Sequence, residues 1–210
     1  MDILDKISEC IIDGEFEEIQ GLVKEALSND MSAKQILDQG LLKGMNEVGD
    51  LFKDGELFVP EVLIAAKTMD MGMSELKPYL QEGDVTKVAK CVFATVKGDL
   101  HDIGKKLVKM MMEGAGYEVI DLGVDVTPEM LCEAVKEHNP EIVGMSAMLT
   151  TTMSSMKDTV ELMEKEKILE SVKIMIGGAP VNSNFANTIG ANYSGDASSA
   201  VELANKLMNI

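Results

Sequence analysis

Tryptophan is absent from this 210-residue chain, and all aromatic residues together make up only 4 %. Large rings therefore cannot fill its cores, and 17 methionines, with flexible thioethers, must close many packing gaps. Basic charge is also scarce, with 19 Lys and Arg against 36 Asp and Glu and a formal net charge of −17. That balance argues against nucleic-acid backbones and anionic membrane surfaces as partners. No apolar stretch approaches the ~20 residues needed to cross a bilayer. The start Met1-Asp2-Ile3-Leu4-Asp5-Lys6 has neither the basic residues nor the apolar run of a secretion signal, so a cytoplasmic location is expected. Cys10, Cys91 and Cys132 are odd in number and far apart, which excludes a disulfide framework and a zinc knuckle.

The residues that are present fall into two patterns. Over the first eighty or so, apolar residues recur at three- and four-residue steps. Phe16, Ile19, Val23, Ala26 and Leu27 form one stripe, and Ile36, Leu37, Gly40, Leu41, Gly44, Met45 and Val48 another. Ser32 to Gln35 suits a capping box, Asp54-Gly55 a break, and Pro60 an early helical position. The next stripe holds Val62, Ala66, Met69, Met73 and Leu76, so a small antiparallel four-helix bundle is predicted.

Pro78 and Gln81-Glu82-Gly83-Asp84 end that half, which sets the domains at 1–85 and 86–210. Beyond them short apolar runs alternate with helical segments. Strands are predicted at Lys87–Val96, Glu118–Asp121, Ile142–Ser146 and Val172–Ile176, with a weak one at Ala191–Tyr193. Helices fall around 102–114, 128–138, 152–167, 183–189 and 196–208. Thr127-Pro128-Glu129 reads as a helix start with a capping hydroxyl, a proline and an acid in the first turn. Five β-α units imply a parallel sheet covered on both faces, in the five-stranded flavodoxin-like α/β arrangement. Ligands of such sheets bind beyond the carboxyl ends of the strands.

The chemically unusual residues lie at those ends. After the first strand runs Gly98-Asp99-Leu100-His101-Asp102-Ile103-Gly104-Lys105. His101 can offer one ring nitrogen to a metal while Asp99 accepts a hydrogen bond from the other, fixing the tautomer. Gly104 costs a helix start roughly 1 kcal/mol relative to alanine, which suggests close approach of another group. A loop histidine alone is more often a plain surface residue, and His138, at a helix end, needs no function beyond that place. Ser146-Ala147-Met148-Leu149-Thr150-Thr151-Thr152 follows the third strand, and its hydroxyls suit either helix capping or a polar slot. Gly177-Gly178-Ala179-Pro180 follows the fourth and offers bare backbone to a bulky group.

Asp99-x-His101-x-x-Gly104, the Ser146 segment and Gly177-Gly178 resemble, in order and spacing, the three-part signature of the cobalamin-binding domain. That family includes methionine synthase, the B12 mutases and the small corrinoid proteins of methyltransferase systems. The run Gly49 to Pro60 is similar to the helical cap of the methyl-transferring branch. One departure is Met148 at the usual leucine of Ser-x-Leu, a swap that keeps apolar bulk.

The resemblance implies cobalamin or a related corrinoid, cycling between methylcob(III)alamin and cob(I)alamin, with His101 as the lower ligand of cobalt and Asp99 as its partner. Asp102, Ile103, Gly104, Met148, Leu149 and Ala179 would border the cofactor. Ser146, Thr150, Thr152, Gly177 and Gly178 would line a slot for its displaced benzimidazole arm. Thr152 also stands where methionine synthase has a serine completing a His-Asp-Ser relay. Phe58, Val59, Val62 and Met69 would cover the methyl-bearing face. It further implies a methyl carrier without independent turnover, serving methylamine, quaternary-amine or methoxyl demethylation. Its partners would be a substrate-specific corrinoid methyltransferase, a second methyltransferase delivering to tetrahydrofolate or coenzyme M, and a reductive activation protein. Movement of the cap is expected about a hinge within Gln81–Thr86.

An FMN carrier fits poorly, because Asp99 and Asp102 would repel a phosphate in the first loop. A phospho-receiver domain lacks its aspartate after the third strand, where Ser146 stands. A cobalamin sensor would carry an output domain.

Overall fold

The computed structural model describes residues 2–80 and 87–210. The expected hinge, Gln81–Thr86, lies outside the described residues. The chain divides into two compact units, one running through Lys87 and taking in Gly114–Gly116, the other holding Val88–Glu113 and Tyr117–Ile210.

The first unit is helical. Helices α1 (Ile3–Ile12) and α2 (Ile19–Ser28) are followed by one continuous helical rod over 33–53. It begins as α3 (Ala33–Ile36), widens to a π-helical stretch at Leu37–Leu42 and ends as α4 (Lys43–Lys53). Ser32 caps it by accepting the Gln35 N–H at 3.2 Å. The π stretch was not foreseen, since an apolar stripe is blind to one inserted residue. It lies where two glycines bring the rod against α1. A Cβ on Gly40 would meet Ile7 Cγ2 at 2.9 Å, and one on Gly44 the Ser8 carbonyl oxygen at 2.7 Å. Helix α5 (Val59–Leu76) starts with Pro60 in its first turn and with the Glu61 carboxylate accepting the Phe58 N–H at 2.6 Å. It packs on α2 and α4.

The second unit is a five-stranded parallel sheet in the order β2-β1-β3-β4-β5. The strands are β1 (Lys90–Thr95), β2 (Glu118–Asp121), β3 (Ile142–Ser146), β4 (Lys173–Gly177) and β5 (Asn192–Tyr193). Helices α6 (Ile103–Gly114), α7 (Pro128–His138), α8 (Met153–Lys165), α9 (Ser183–Thr188) and α10 (Ala197–Met208) follow them in turn. The central strands are covered on both faces, with Cys91, Val92, Ala94, Ile142 and Val143 all fully buried. This explains why they read as unbroken apolar runs rather than alternating ones. Thr127 caps α7 by accepting the Met130 N–H at 3.3 Å. The chain passes from β1 to β2 on one side and later to β3 on the other. The loops after β1 and β3 therefore part from each other at the sheet's switch point, where a crevice forms.

Candidate functional site

Asp99 is the hub of that crevice. Its carboxylate is fully buried, yet five donors converge on it. Oδ1 accepts the His101 backbone N–H at 3.1 Å and lies 2.7 Å from His101 Nδ1. Oδ2 accepts the Met148 N–H at 2.7 Å, the Leu149 N–H at 3.3 Å and the Thr152 hydroxyl at 2.8 Å. Burial alone would push the pKa of this carboxyl up. The Met148 N–H, both His101 donors and the Thr152 hydroxyl outweigh burial and hold it well below the usual carboxylate range. Asp99 is thus an anion fastened to the loop after β3.

A fixed anion dictates what the imidazole does. With Oδ1 an acceptor, Nδ1 carries the proton and Nε2 keeps its lone pair. The His101 side chain is 58 % exposed, so Nε2 is available to a Lewis acid outside the chain. The loop is steadied further by the Thr95 hydroxyl, which donates to the His101 carbonyl at 3.0 Å.

The surroundings of this nitrogen are apolar and uncovered. Leu100 and Ile103, on either side of His101 in the chain, are 71 % and 79 % exposed, and Met148 and Leu149 are 48 % and 43 % exposed. A Cβ on Gly104 would meet no other atom of the chain within 4 Å, so the room beside it is open to a group from outside. Asp102 is paired with Lys106 at 2.5 Å, and this pair holds its carboxyl below the usual carboxylate range. Thr150 and Ala179 are exposed.

Ser146 and Gly177 stand opposite each other at the ends of β3 and β4. Gly178 follows with φ +126, and a Cβ there would lie 1.9 Å from the Ala147 carbonyl oxygen, so only glycine fits. A Cβ on Gly177 would approach the Ser194 carbonyl oxygen at 3.2 Å, which brings Ser194, after β5, to the same edge. Sequence reasoning had no signal for Ser194, because β5 is only two residues long.

Three expectations change. Thr152 is buried and its hydroxyl donates to Asp99, so it is turned to that carboxylate and not open to an outside group. Val62 and Met69 are core residues, being 0 % and 8 % exposed. They share a face of α5 with Ala65, Ala66, Gly72 and Leu76, and a Cβ on Gly72 would meet Leu41 and Ile19 inside the bundle at 2.8 and 2.9 Å. The 3.6-residue period places both on the stripe that builds the bundle. The exposed apolar residues of that region are Phe58, Val59, Leu63 and Ile64, at 67, 37, 43 and 43 %. Leu63 and Ile64 were missed.

The three thiols take no part. All are buried, and burial first, with nearby carboxylates, pushes Cys10 and Cys132 to about 11 and Cys91 to about 12. Among the described residues no group of three His, Cys, Asp or Glu side chains gathers as a metal cage. The site thus offers a single axial nitrogen, which suits a metal already held by a flat macrocycle.

An oriented imidazole with one ring nitrogen open, beside an exposed apolar rim, fits a flat metal macrocycle. The chain belongs to the B12-binding family. The B12 binding domain model matches residues 89–204, and a second model with the same description matches 3–77. The chain is 40 % identical over 209 residues to dimethylamine corrinoid protein 1 of Methanosarcina acetivorans, covering 99 % of this chain and 98 % of the relative. A crystal structure of a cobalamin-binding protein from Desulfitobacterium hafniense matches with TM-score 0.81 and 36 % identity, over 99 % of this chain and 98 % of that one. The methanol:cobalamin methyltransferase complex MtaBC of Methanosarcina barkeri matches with TM-score 0.91 and 27 % identity, over 99 % of this chain and 80 % of the other. The cofactor is a corrinoid. The free Nε2, the open ground beside Gly104 and the exposed apolar rim fit it.

Proposed function

We propose that this protein is the methyl carrier of a methylamine demethylating system, and that His101 Nε2 is the lower ligand of the corrinoid's cobalt. The observation that carries the reading is the fixed Asp99–His101 pair at the sheet's switch point, with Nε2 unbound and Nδ1 tied at 2.7 Å. Methylamine is favoured over other donors because the Methanosarcina acetivorans relative named above and others of 38–40 % identity are dimethylamine corrinoid proteins. When bound, the corrinoid supplies a cobalt that accepts and releases a methyl group.

The residues of this chain do the rest. Asp99 keeps the proton on Nδ1, which orients the ring and makes Nε2 the better donor. Thr152 and the N–H groups of Met148 and Leu149 keep Asp99 ionised and immobile. Leu100, Ile103, Met148 and Leu149 would lie along the macrocycle, with Asp102 at its polar rim. Ser146, Thr150, Gly177, Gly178 and Ala179 would receive the displaced base. Phe58, Val59, Leu63 and Ile64 would exclude water and oxidants from the reactive side. One methyltransferase loads the carrier, a second unloads it to tetrahydrofolate or coenzyme M, and a reductive activation protein restores it after oxidation.

The test is transfer itself. Corrinoid-loaded protein, reduced and incubated with labelled dimethylamine and its methyltransferase, should gain one labelled methyl per chain and pass it to the acceptor when the second enzyme is added. Loading that never exceeds the level of a His101→Ala variant would contradict the proposal.

A further inference from the structure

The loop bearing His101 is held from two sides, and the Asp99 cluster is only one of them. The other is the segment that follows β2. Lys105, in the first turn of α6, has a side chain only 3 % exposed, and its ammonium binds the Asp121 carboxylate at the end of β2. The same ammonium donates to the Gly123 carbonyl at 2.8 Å, and the Gly123 N–H donates back to Asp121 Oδ1 at 2.9 Å. Gly123 is joined to the core through its carbonyl, which accepts the Thr95 N–H at 3.0 Å.

Two residues further on, Asp125 takes hold of the loop itself. Its Oδ1 accepts the Gly98 N–H at 2.7 Å, and its own N–H donates to the Asp99 carbonyl at 3.0 Å. It does so from a left-handed backbone, φ +54, which aspartate tolerates better than most residues. The Lys97–Gly98 and Asp99–Leu100 peptides are thus both anchored to this one residue.

A buried ammonium–carboxylate pair gives little net stability over apolar residues of the same size, because desolvation offsets the attraction. Its contribution here is directional. Lys105 is four residues after His101, and the bonds to Asp121 and Gly123 fix where α6 begins and so where the loop must end. We infer that Lys105, Asp121 and Asp125 are positioning residues for the His101 imidazole, so that the end of β2 sets the angle at which Nε2 faces the cobalt. None of the three touches the ring. The inference rests on His101 being the cobalt ligand.

The experiment uses full-length protein with nitrogen-15 in its two histidines, compared as wild type, Lys105→Met, Lys105→Met/Asp121→Leu, Asp125→Ala and His101→Ala. Two readouts are taken: imidazole tautomer by NMR without cofactor, and histidine-nitrogen coupling by paramagnetic resonance with the cobalt(II) corrinoid. Lys105→Met should weaken the histidine-ligated form about tenfold or more and broaden the Nδ1–H tautomer signal. The double variant should regain the wild-type melting temperature without regaining that ligation, which a purely structural pair would restore. Asp125→Ala, on the surface, should move both readouts in the same direction by less, and decides the matter should the Lys105 variants not fold. Wild-type tautomer and ligation in Asp125→Ala, or full ligation in the double variant, would overturn the inference. Histidine coupling persisting in His101→Ala would instead sink the ligand assignment beneath it.

Discussion

The sheet edge and helix α5 illustrate two ways of building a surface. At the edge, Asp99 collects five donors and the Thr95 hydroxyl holds the His101 carbonyl. On α5, Phe58, Val59, Leu63 and Ile64 present apolar atoms to solvent, and the turn beneath is held by the Glu61 carboxylate on the Phe58 N–H and by the ordinary backbone bonds of a helix start. Hydrogen bonds demand particular residues at particular positions, so the first surface leaves a motif in the sequence. An apolar face demands only bulk, and leaves none. The first should tolerate almost no substitution, while the second should lose function without losing stability.

The largest effect should come from Asp99→Ala. It strands the Met148 and Leu149 N–H groups around a buried site, and we expect a loss of about 3–5 kcal/mol in urea unfolding together with loss of corrinoid binding. The loss should depend on pH in a set direction. The folded carboxyl titrates below the ordinary value of 3.8, so its stabilisation is complete above that pH. It fades as the pH falls through the folded value. The deficit of Asp99→Ala against wild type should therefore be constant from about pH 8 to pH 5 and shrink in stronger acid. A deficit that shrank on raising the pH instead would contradict the ionised hub.

Gly178→Ala should come next, at about 2–3 kcal/mol, since its Cβ would press on the Ala147 carbonyl from a positive φ. A melting temperature equal to wild type would show that the loop has another conformation. Within α5, neighbouring residues should behave oppositely. Val62→Ala, in the core, should cost about 2 kcal/mol. Leu63→Ser, on the exposed face, should stay within about 0.5 kcal/mol yet speed oxidation of the reduced corrinoid. Equal stability losses at 62 and 63 would erase the distinction drawn here. The only gain in stability belongs to Gly104→Ala. Open space and helix propensity favour alanine there by about 0.5–1 kcal/mol, while the added methyl should weaken corrinoid binding. Tighter binding would show that nothing approaches that backbone.

The same contrast explains what the sequence reveals. Strand order and the ligand edge follow from alternating β-α units, because parallel sheets obey few topological rules. His101, Asp99, Gly104 and Gly178 stand out because each is costly or unusual where it lies. Lys105, Asp121 and Asp125 do not, since an ion pair joining residues 16 apart looks in sequence like ordinary surface charge. Burial alone marks it. Val62 and Met69 were placed on the cofactor by position in the cap motif, although their own spacing put them on the core stripe. Periodicity was the better guide there, and it leaves Leu63 as the exposed neighbour. The π-helical turn at Leu37–Leu42 had no compositional mark at all.

The proposed methyl carrier depends on one bond, from His101 Nε2 to cobalt. Paramagnetic resonance of the cobalt(II) corrinoid bound to protein labelled with nitrogen-15 histidine measures it directly. We predict coupling to a single labelled nitrogen, lost in His101→Ala and kept in His138→Gln. Coupling to unlabelled nitrogen from the cofactor's own base, unchanged in His101→Ala, would contradict it.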